Sequence, residues 1–320
     1  MVLVLSHRSA LYYWRTFAGR RADLKPLRNP SAMTEPASLD GNLTEELASL
    51  GLFPTKDHPL DLLFSSADLR PRNAVIKPHV DGTALAPGSL LLLTDRIAVT
   101  SPELTFLHMA REYSRGRLIL AGCEFCGTYV RRPDGALSGT RPALTCAADL
   151  RAFIARRHPG ATSRAADAAR FVLDGAASPM EAKVALLLSL PTCLGGCGLP
   201  QPVLNRPFAL STQAQRLYPH SPCRLDLSWS GVHLNVEYDG RDTHTGEDHA
   251  RDVARWAALG LDGVDVMVLT KEQVYDMEAF AIVANRIVGK LSGNPGRTPR
   301  IRTKDYPAKQ VLLRRQLHLL

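Results

Sequence analysis

A chain of 320 residues, 45% hydrophobic and 22% charged, has the composition of a globular protein and, by its length, room for two domains. No run of roughly 18 apolar residues interrupts it, which excludes a membrane-spanning helix and a membrane partner. The formal charge of +8 and a pI near 9.3 favour a polyanionic partner such as nucleic acid, although many ordinary soluble proteins carry a similar charge.

The opening MVLVLSHRSALYYWR has no basic stretch ahead of its short apolar run, so no secretory signal is expected and the chain reads as cytoplasmic. Residues 6–17 are expected to be helical, capped by Ser6, with Leu11, Trp14 and Ala18 along one side. NPSAMTEPASLDGN, residues 29–42, is poor in core residues and reads as a connector. LDLLFSS, NAVIKPHV and SLLLLTDRIAVTS then read as short strands of a small sheet. SPELTFLHMAREY follows as a helix, with Ser101 as cap and Glu103 in the first turn.

From Cys146 to Gly175 the pattern is helical, broken at HPGATS. Ser178-x-x-Glu181 is a capping box with Pro179 at the first helical position. With PVLNRPF as a leading strand, the remaining elements run α, β, β, β, α, β, α. They end in a helix opened by Thr270-x-x-Gln273 and extending to Leu291. GNPGRTPRIRTKDYPAKQ reads as an irregular basic arm. The fold class is α/β, divided as an α+β region (1–145), a helical connector (146–175), an α/β domain (176–292) and a basic tail (293–320).

Chemistry concentrates in CRLDLSWSGVHLNVEYDGRDTH, residues 223–244, where apolar and polar residues alternate on both sides of Ser230-Gly231. A two-residue turn there pairs Trp229 with Val232, Leu227 with Leu234 and Leu225 with Val236 on a core face. The other face then carries Ser228 with His233, Asp226 with Asn235, Arg224 with Glu237, and Asp239 beyond. Diagonal neighbours on such a ladder lie about 7–8 Å apart, within reach of a shared cation for Asp226 and Glu237.

The six cysteines include Cys123-x2-Cys126 and Cys193-x3-Cys197. In a cytoplasmic chain disulfides are disfavoured. The surroundings of both pairs, one after an apolar run and one in a Gly-rich link, suit buried thiols and loop residues better than zinc. No G-x-x-x-x-G-K-[ST], H-E-x-x-H or G-x-S-x-G motif occurs, which removes phosphate-loop, zincin and serine-hydrolase chemistry of those types.

Glu181 in the first helix, Asp226 on the middle strand, V-E-Y-D-G at 236–240, His244 and R-D-x-x-R at 251–255 together resemble the PD-(D/E)-X-K restriction-endonuclease-like nucleases, in particular those related to the very-short-patch-repair endonuclease. The resemblance spans about residues 176–292 and implies a mixed sheet flanked by helices. It also implies that Glu181, Asp226 and Glu237 hold a divalent cation, Mg²⁺ or Mn²⁺, which activates water against a phosphodiester. The pattern places Lys where this chain has Asp239, so the group that positions the water is either Asp239 or His244. Arg251 and Arg255 become candidate phosphate contacts.

Each residue has a plainer role beside this one. Glu181 completes a capping box, Glu237 pairs with a facing Arg224, Asp239-Gly240 turns the chain, and Asp252 and Arg255 form an i,i+3 salt bridge.

In the N-terminal part, LSHRSALYYWR and VTSPELTFLHMA are similar to the abortive-infection antitoxins of bacterial type IV toxin-antitoxin systems. That resemblance implies DNA binding and a toxin or other defence protein as partner. The basic residues Arg8, Arg15, Arg20 and Arg21 would suit phosphate contacts, although a charged helix face is usually simply solvent-exposed. Two functions are therefore expected in competition: a Mg²⁺-dependent DNA endonuclease of repair, defence or toxin-antitoxin systems, and a non-enzymatic DNA-binding regulator on a degenerate nuclease fold.

Overall fold

The computed structural model describes residues 2–320 except 29–37, 70, 72, 82–84, 158, 241–245, 300 and 302. The chain is α/β and divides into two compact units, Met1–Val172 and Leu173–Leu320.

In the first unit β1 (Leu3–Leu5) leads into α1 (His7–Thr16), and α2 (Gly41–Ser49) precedes β2 (Leu60–Phe64) and β3 (Ile76–Val80). Next come β4 (Leu90–Leu92), β5 (Ile97–Thr100), α3 (Pro102–Met109) and α4 (Arg115–Phe125). A small antiparallel pair, β6 (Tyr129–Arg131) and β7 (Leu137–Thr140), is followed by α5 (Ala147–Ala155) and α6 (Pro159–Ala169). The five-stranded sheet runs β3-β2-β1-β5-β4. Its central strand β1 is parallel to β5 and antiparallel to β2.

Helix α1 locks onto this sheet through Trp14, which is fully buried and donates its Nε1 hydrogen to the Thr100 carbonyl at 2.9 Å. Ser6 stands at the cap position but makes no capping hydrogen bond, and Ala18 falls outside the helix and is exposed. Part of the expected connector at 29–42 lies outside the described residues, and its end instead opens α2, where Asp40 accepts from the Leu43 amide at 2.7 Å. The helices expected as a connector, α5 and α6, pack against α3 and α4 and belong to this unit.

The second unit carries the expected order. It contains α7 (Pro179–Ser189), β8 (Val203–Phe208), β9 (Cys223–Trp229), β10 (Leu234–Asp239), α8 (Gly246–Leu261) and β11 (Asp265–Thr270). After these come α9 (Lys271–Tyr275), α10 (Met277–Leu291) and α11 (Tyr306–Gln316). The sheet runs β11-β10-β9-β8, antiparallel except for the β10–β11 pair. Leu225, Leu227, Trp229, Leu234 and Val236 are buried as the alternation requires.

The hairpin turn is longer than Ser230-Gly231. A 3-10 turn at Ser230–Val232 followed by left-handed His233 (φ 50°) shifts the register, so Trp229 pairs with Leu234, Ser228 with Asn235 and Leu227 with Val236. Val232 consequently leaves the core and is 37% exposed.

Two further expectations are corrected. The helix expected from Thr270 to Leu291 breaks at Asp276: the Thr270–Gln273 capping box is formed, but Asp276 is extended and its carboxylate starts α10 by accepting from the Glu278 and Ala279 amides. The tail is an irregular arm only over its first part, where the described residues of 293–305 form no helix or strand. Its Leu-rich end forms α11 and buries Tyr306, Leu313, Leu317 and Leu319, and Arg314, 1% exposed, donates to the Val274 carbonyl and lies over the Phe280 ring. Gly195 explains the Gly-rich CLGGCG link on which α11 rests: φ is +91°, and a Cβ there would collide with the Lys309 carbonyl.

Candidate active site

Glu181, Asp226 and Glu237 reach the polar face of the second sheet from three different elements. Ser178 accepts from the Glu181 amide at 3.2 Å and starts α7, which packs across β9 and β10. The Glu181 carboxylate does not return to the Ser178 amide. It accepts from the Ala177 amide at 2.9 Å and from Asn205 Nδ2 at 2.5 Å. Asn205 is a site residue that sequence reasoning missed. It takes the left-handed conformation (φ 48°) inside β8, a backbone state that Asn tolerates better than most residues and that strands rarely contain.

Asp226 and Glu237 come from neighbouring strands. Continuing the observed register by one step sets them opposite each other instead of diagonally, where Cβ atoms of paired residues are about 4.5–5.5 Å apart. Asp226 Oδ2 accepts from the Tyr238 amide at 3.3 Å. Glu237 is buried, accepting from Asn235 Nδ2 at 2.7 Å on one oxygen and from Arg255 Nη2 on the other. Its ion-pair partner is therefore Arg255 of α8; Arg224 is exposed. Asp252 is a weaker partner of Arg255, at 3.8 Å.

The electrostatics follow from this crowding. Burial pushes the Asp226 carboxyl up to about 8, with the Glu237 and Glu181 carboxylates raising it further and Arg255 opposing them. Burial also raises Glu237, against the pull of Arg255 and Asn235. Asn235 is fully buried on the same face, and its Oδ1 has no hydrogen-bond partner. A buried acceptor left without a donor is costly in an ordinary core, about 1–3 kcal/mol, and it points at this face as a place where a further group is accommodated.

The oxygens of Glu181, Asp226 and Glu237 are not gathered as closely as metal ligands. Among the described residues, the only three ligand atoms of His, Cys, Asp or Glu within 4.8 Å of one another belong to His7, His79 and Glu112, in the first unit. Asp239 ends β10, partly exposed, and Arg251 is exposed on α8. His244 lies outside the described residues.

Several arginines expected to contact phosphate are committed elsewhere. Arg15 pairs with buried Glu124, Arg21 with buried Glu103 and Arg8 with Glu112, while Arg20 is exposed. No cysteine forms a disulfide; Cys123, Cys126, Cys197 and Cys223 are buried and Cys193 is exposed. No helix among the described residues is long and apolar enough to cross a membrane. No family model matches the chain, and no curated protein or solved structure matches it.

Proposed function

We propose that the second unit is a Mg²⁺- or Mn²⁺-dependent DNA endonuclease of a cytoplasmic repair, defence or toxin-antitoxin system. The observation that carries this reading is the arrival of Glu181, Asp226 and Glu237 from α7, β9 and β10 on one polar face, where burial and mutual repulsion raise Asp226.

The donor set fits a hard divalent cation. It is all oxygen, it holds excess negative charge, and the orphaned Asn235 Oδ1 adds an acceptor beside it. Asp226 and Glu237 would hold the ion, with Glu181 acting directly or through water. Bound there, the ion would lower the pKa of water and neutralise charge developing on the phosphate.

The protein's own groups prepare this site. Arg255 holds Glu237 in place from α8; were a cation bound to Glu237 instead, the guanidinium would be released to meet a phosphodiester alongside Arg251. Asn205 and the Ala177 amide fix the Glu181 carboxylate. Asp239 and His244 are the groups offered for orienting the water, since no Lys stands at position 239.

A second reading, a non-enzymatic DNA-binding regulator with a toxin or other defence protein as partner, is favoured by two observations: the oxygens of Glu181, Asp226 and Glu237 are not gathered as closely as metal ligands, and Arg255, Asn235 and Asn205 already supply partners for Glu237 and Glu181. Cleavage assays separate the two. Purified wild type should convert supercoiled plasmid, linear duplex or single-stranded DNA in Mg²⁺ or Mn²⁺ and not in chelator. Salt-sensitive DNA binding without cleavage of any of the three would support the regulator.

A further inference from the structure

In the first unit three imidazoles stack where β1 meets α1. The ring of His7 lies 3.6 Å from that of His79 at 16° and 4.5 Å from that of His108 at 8°. They come from α1, β3 and α3, so their sequence separation hides the cluster entirely.

Each ring is oriented through one nitrogen. His79 Nε2 is 2.6 Å from Asp61 Oδ1, His7 Nδ1 is 3.1 Å from Ser6 Oγ, and His108 Nε2 is 3.4 Å from Asp81 Oδ2. A carboxylate or hydroxyl on one imidazole nitrogen fixes the tautomer and leaves the other nitrogen available, the arrangement that supports metal-bound histidines. The remaining nitrogen of His108, Nδ1, is buried without a hydrogen-bond partner, and the residue is 8% exposed.

Glu112 completes the set. One of its oxygens lies with one nitrogen each of His7 and His79, all within 4.8 Å of one another. Strain points to the same place: His7 opens α1 with φ 45°, a left-handed conformation that costs a non-glycine residue about 1–3 kcal/mol and concentrates at functional sites.

We propose that His7, His79 and Glu112 bind a transition-metal dication of the zinc type, with His108 beside them. Two imidazoles and a carboxylate are borderline ligands that suit such ions better than Mg²⁺. Bonds of about 2.0–2.2 Å require the three side chains to close in by small rotations.

The charges permit the exchange. Lys77, its side chain 43% exposed, now spans Asp61 at 3.3 Å and Glu112 at 3.1 Å. It withdraws to water when a dication replaces it, while Arg8 keeps its bond to the other Glu112 oxygen at 2.7 Å. A cleft of 590 Å³ lies beside the cluster: it is lined in part by Arg8, Asp61 and Lys77, which contact Glu112 or His79, and by none of the three ligands themselves. This site draws on none of the cysteines and on none of the acids of the second unit.

The test is titration of the chelator-treated full chain with Zn²⁺ by calorimetry, repeated with Co²⁺ to read ligand type from its visible spectrum. The proposal expects one tight Zn²⁺ site. Affinity should fall at least tenfold in His79→Ala and in Glu112→Gln, rise in Lys77→Gln and stay unchanged in Asp226→Asn. The Co²⁺ spectrum should lack thiolate charge-transfer bands. Circular dichroism establishes that each variant is folded. A variant-free arm uses wild type alone, in which Co²⁺ should produce paramagnetically shifted histidine ring protons. No Zn²⁺ binding, binding indifferent to both His79 and Glu112, or a thiolate-bound spectrum would overturn the proposal.

Discussion

Arg255 of α8 donates to Glu237 of β10 on the face where burial and the neighbouring carboxylates raise Asp226 to about 8. The arginine thus does for the acid cluster what a dication would do more strongly: it opposes the burial that raises Glu237 and Asp226. Removing it leaves a buried carboxylate without its ion-pair partner. Arg255→Gln is therefore expected to destabilise the protein by about 3–5 kcal/mol in chelator, with part of the loss recovered by Mg²⁺ or Mn²⁺. Urea unfolding with and without the ion measures both quantities.

Asp226 dictates a pH dependence. Its carboxyl titrates at 3.8 as an ordinary group and at about 8 in the folded chain. The folded state therefore holds the proton more tightly than the unfolded one. The stabilisation is fully present below the ordinary value and is lost as pH rises through the folded one. Between about pH 4 and 8 this group alone lowers stability by up to about 1.4 kcal/mol per pH unit. Asp226→Asn should remove this slope, seen as the wild-type minus variant difference in thermal unfolding against pH, and saturating Mn²⁺ should flatten it in wild type.

Trp229 anchors the hairpin beneath the acids, buried and donating its Nε1 hydrogen to the Pro200 carbonyl at 2.9 Å. Trp229→Ala is expected to cost about 3–5 kcal/mol, whereas Val232→Ala, in the exposed turn, should stay within about 0.5 kcal/mol. Chemical denaturation of the two variants tests whether the turn is placed correctly.

The tail is structural. Truncation after residue 304 removes α11 with its buried Tyr306, Leu313, Leu317 and Leu319. The loss of folded protein, read as insolubility or early thermal unfolding, should exceed any change attributable to charge.

What the sequence made legible was periodicity, and what it hid was anything that depends on a partner far along the chain. Within the strands, the alternation from Cys223 to Asp239 identified the apolar face and the acidic face, because a register shift of two residues leaves each strand side chain on its own face; Val232, drawn into the turn, left the core. The pairing itself could not be read, since it was set by the 3-10 turn and the left-handed His233.

Helix α4 escaped notice because it is buried along most of its length and shows no amphipathic stripe. The helix at the end of the tail was missed because the Pro and Gly at its start, which do form an irregular stretch, outweighed the leucines at its end. Glu181, Asp226 and Glu237 were recognisable as acids in a suggestive order. The roles of Asn205 and Asn235 rested on backbone conformation and burial that no spacing encodes. His7, His79 and Glu112 gave no local signal at all.

The positive charge of the chain, +8, sets an expectation for DNA binding under both readings: affinity falling with salt at a slope of about 0.9 per phosphate neutralised on duplex. Because Arg15 and Arg21 hold buried carboxylates, their substitution should lower stability more than it changes that slope. Fluorescence anisotropy across a salt series checks it.

The central claim, that the acidic face of the second sheet is a cation site, is tested most directly by Mn²⁺ calorimetry on wild type, Asp226→Asn and His79→Ala. Mn²⁺ binding is expected to disappear in Asp226→Asn and to survive in His79→Ala. Absence of Mn²⁺ binding in wild type, or binding that ignores Asp226, would contradict it.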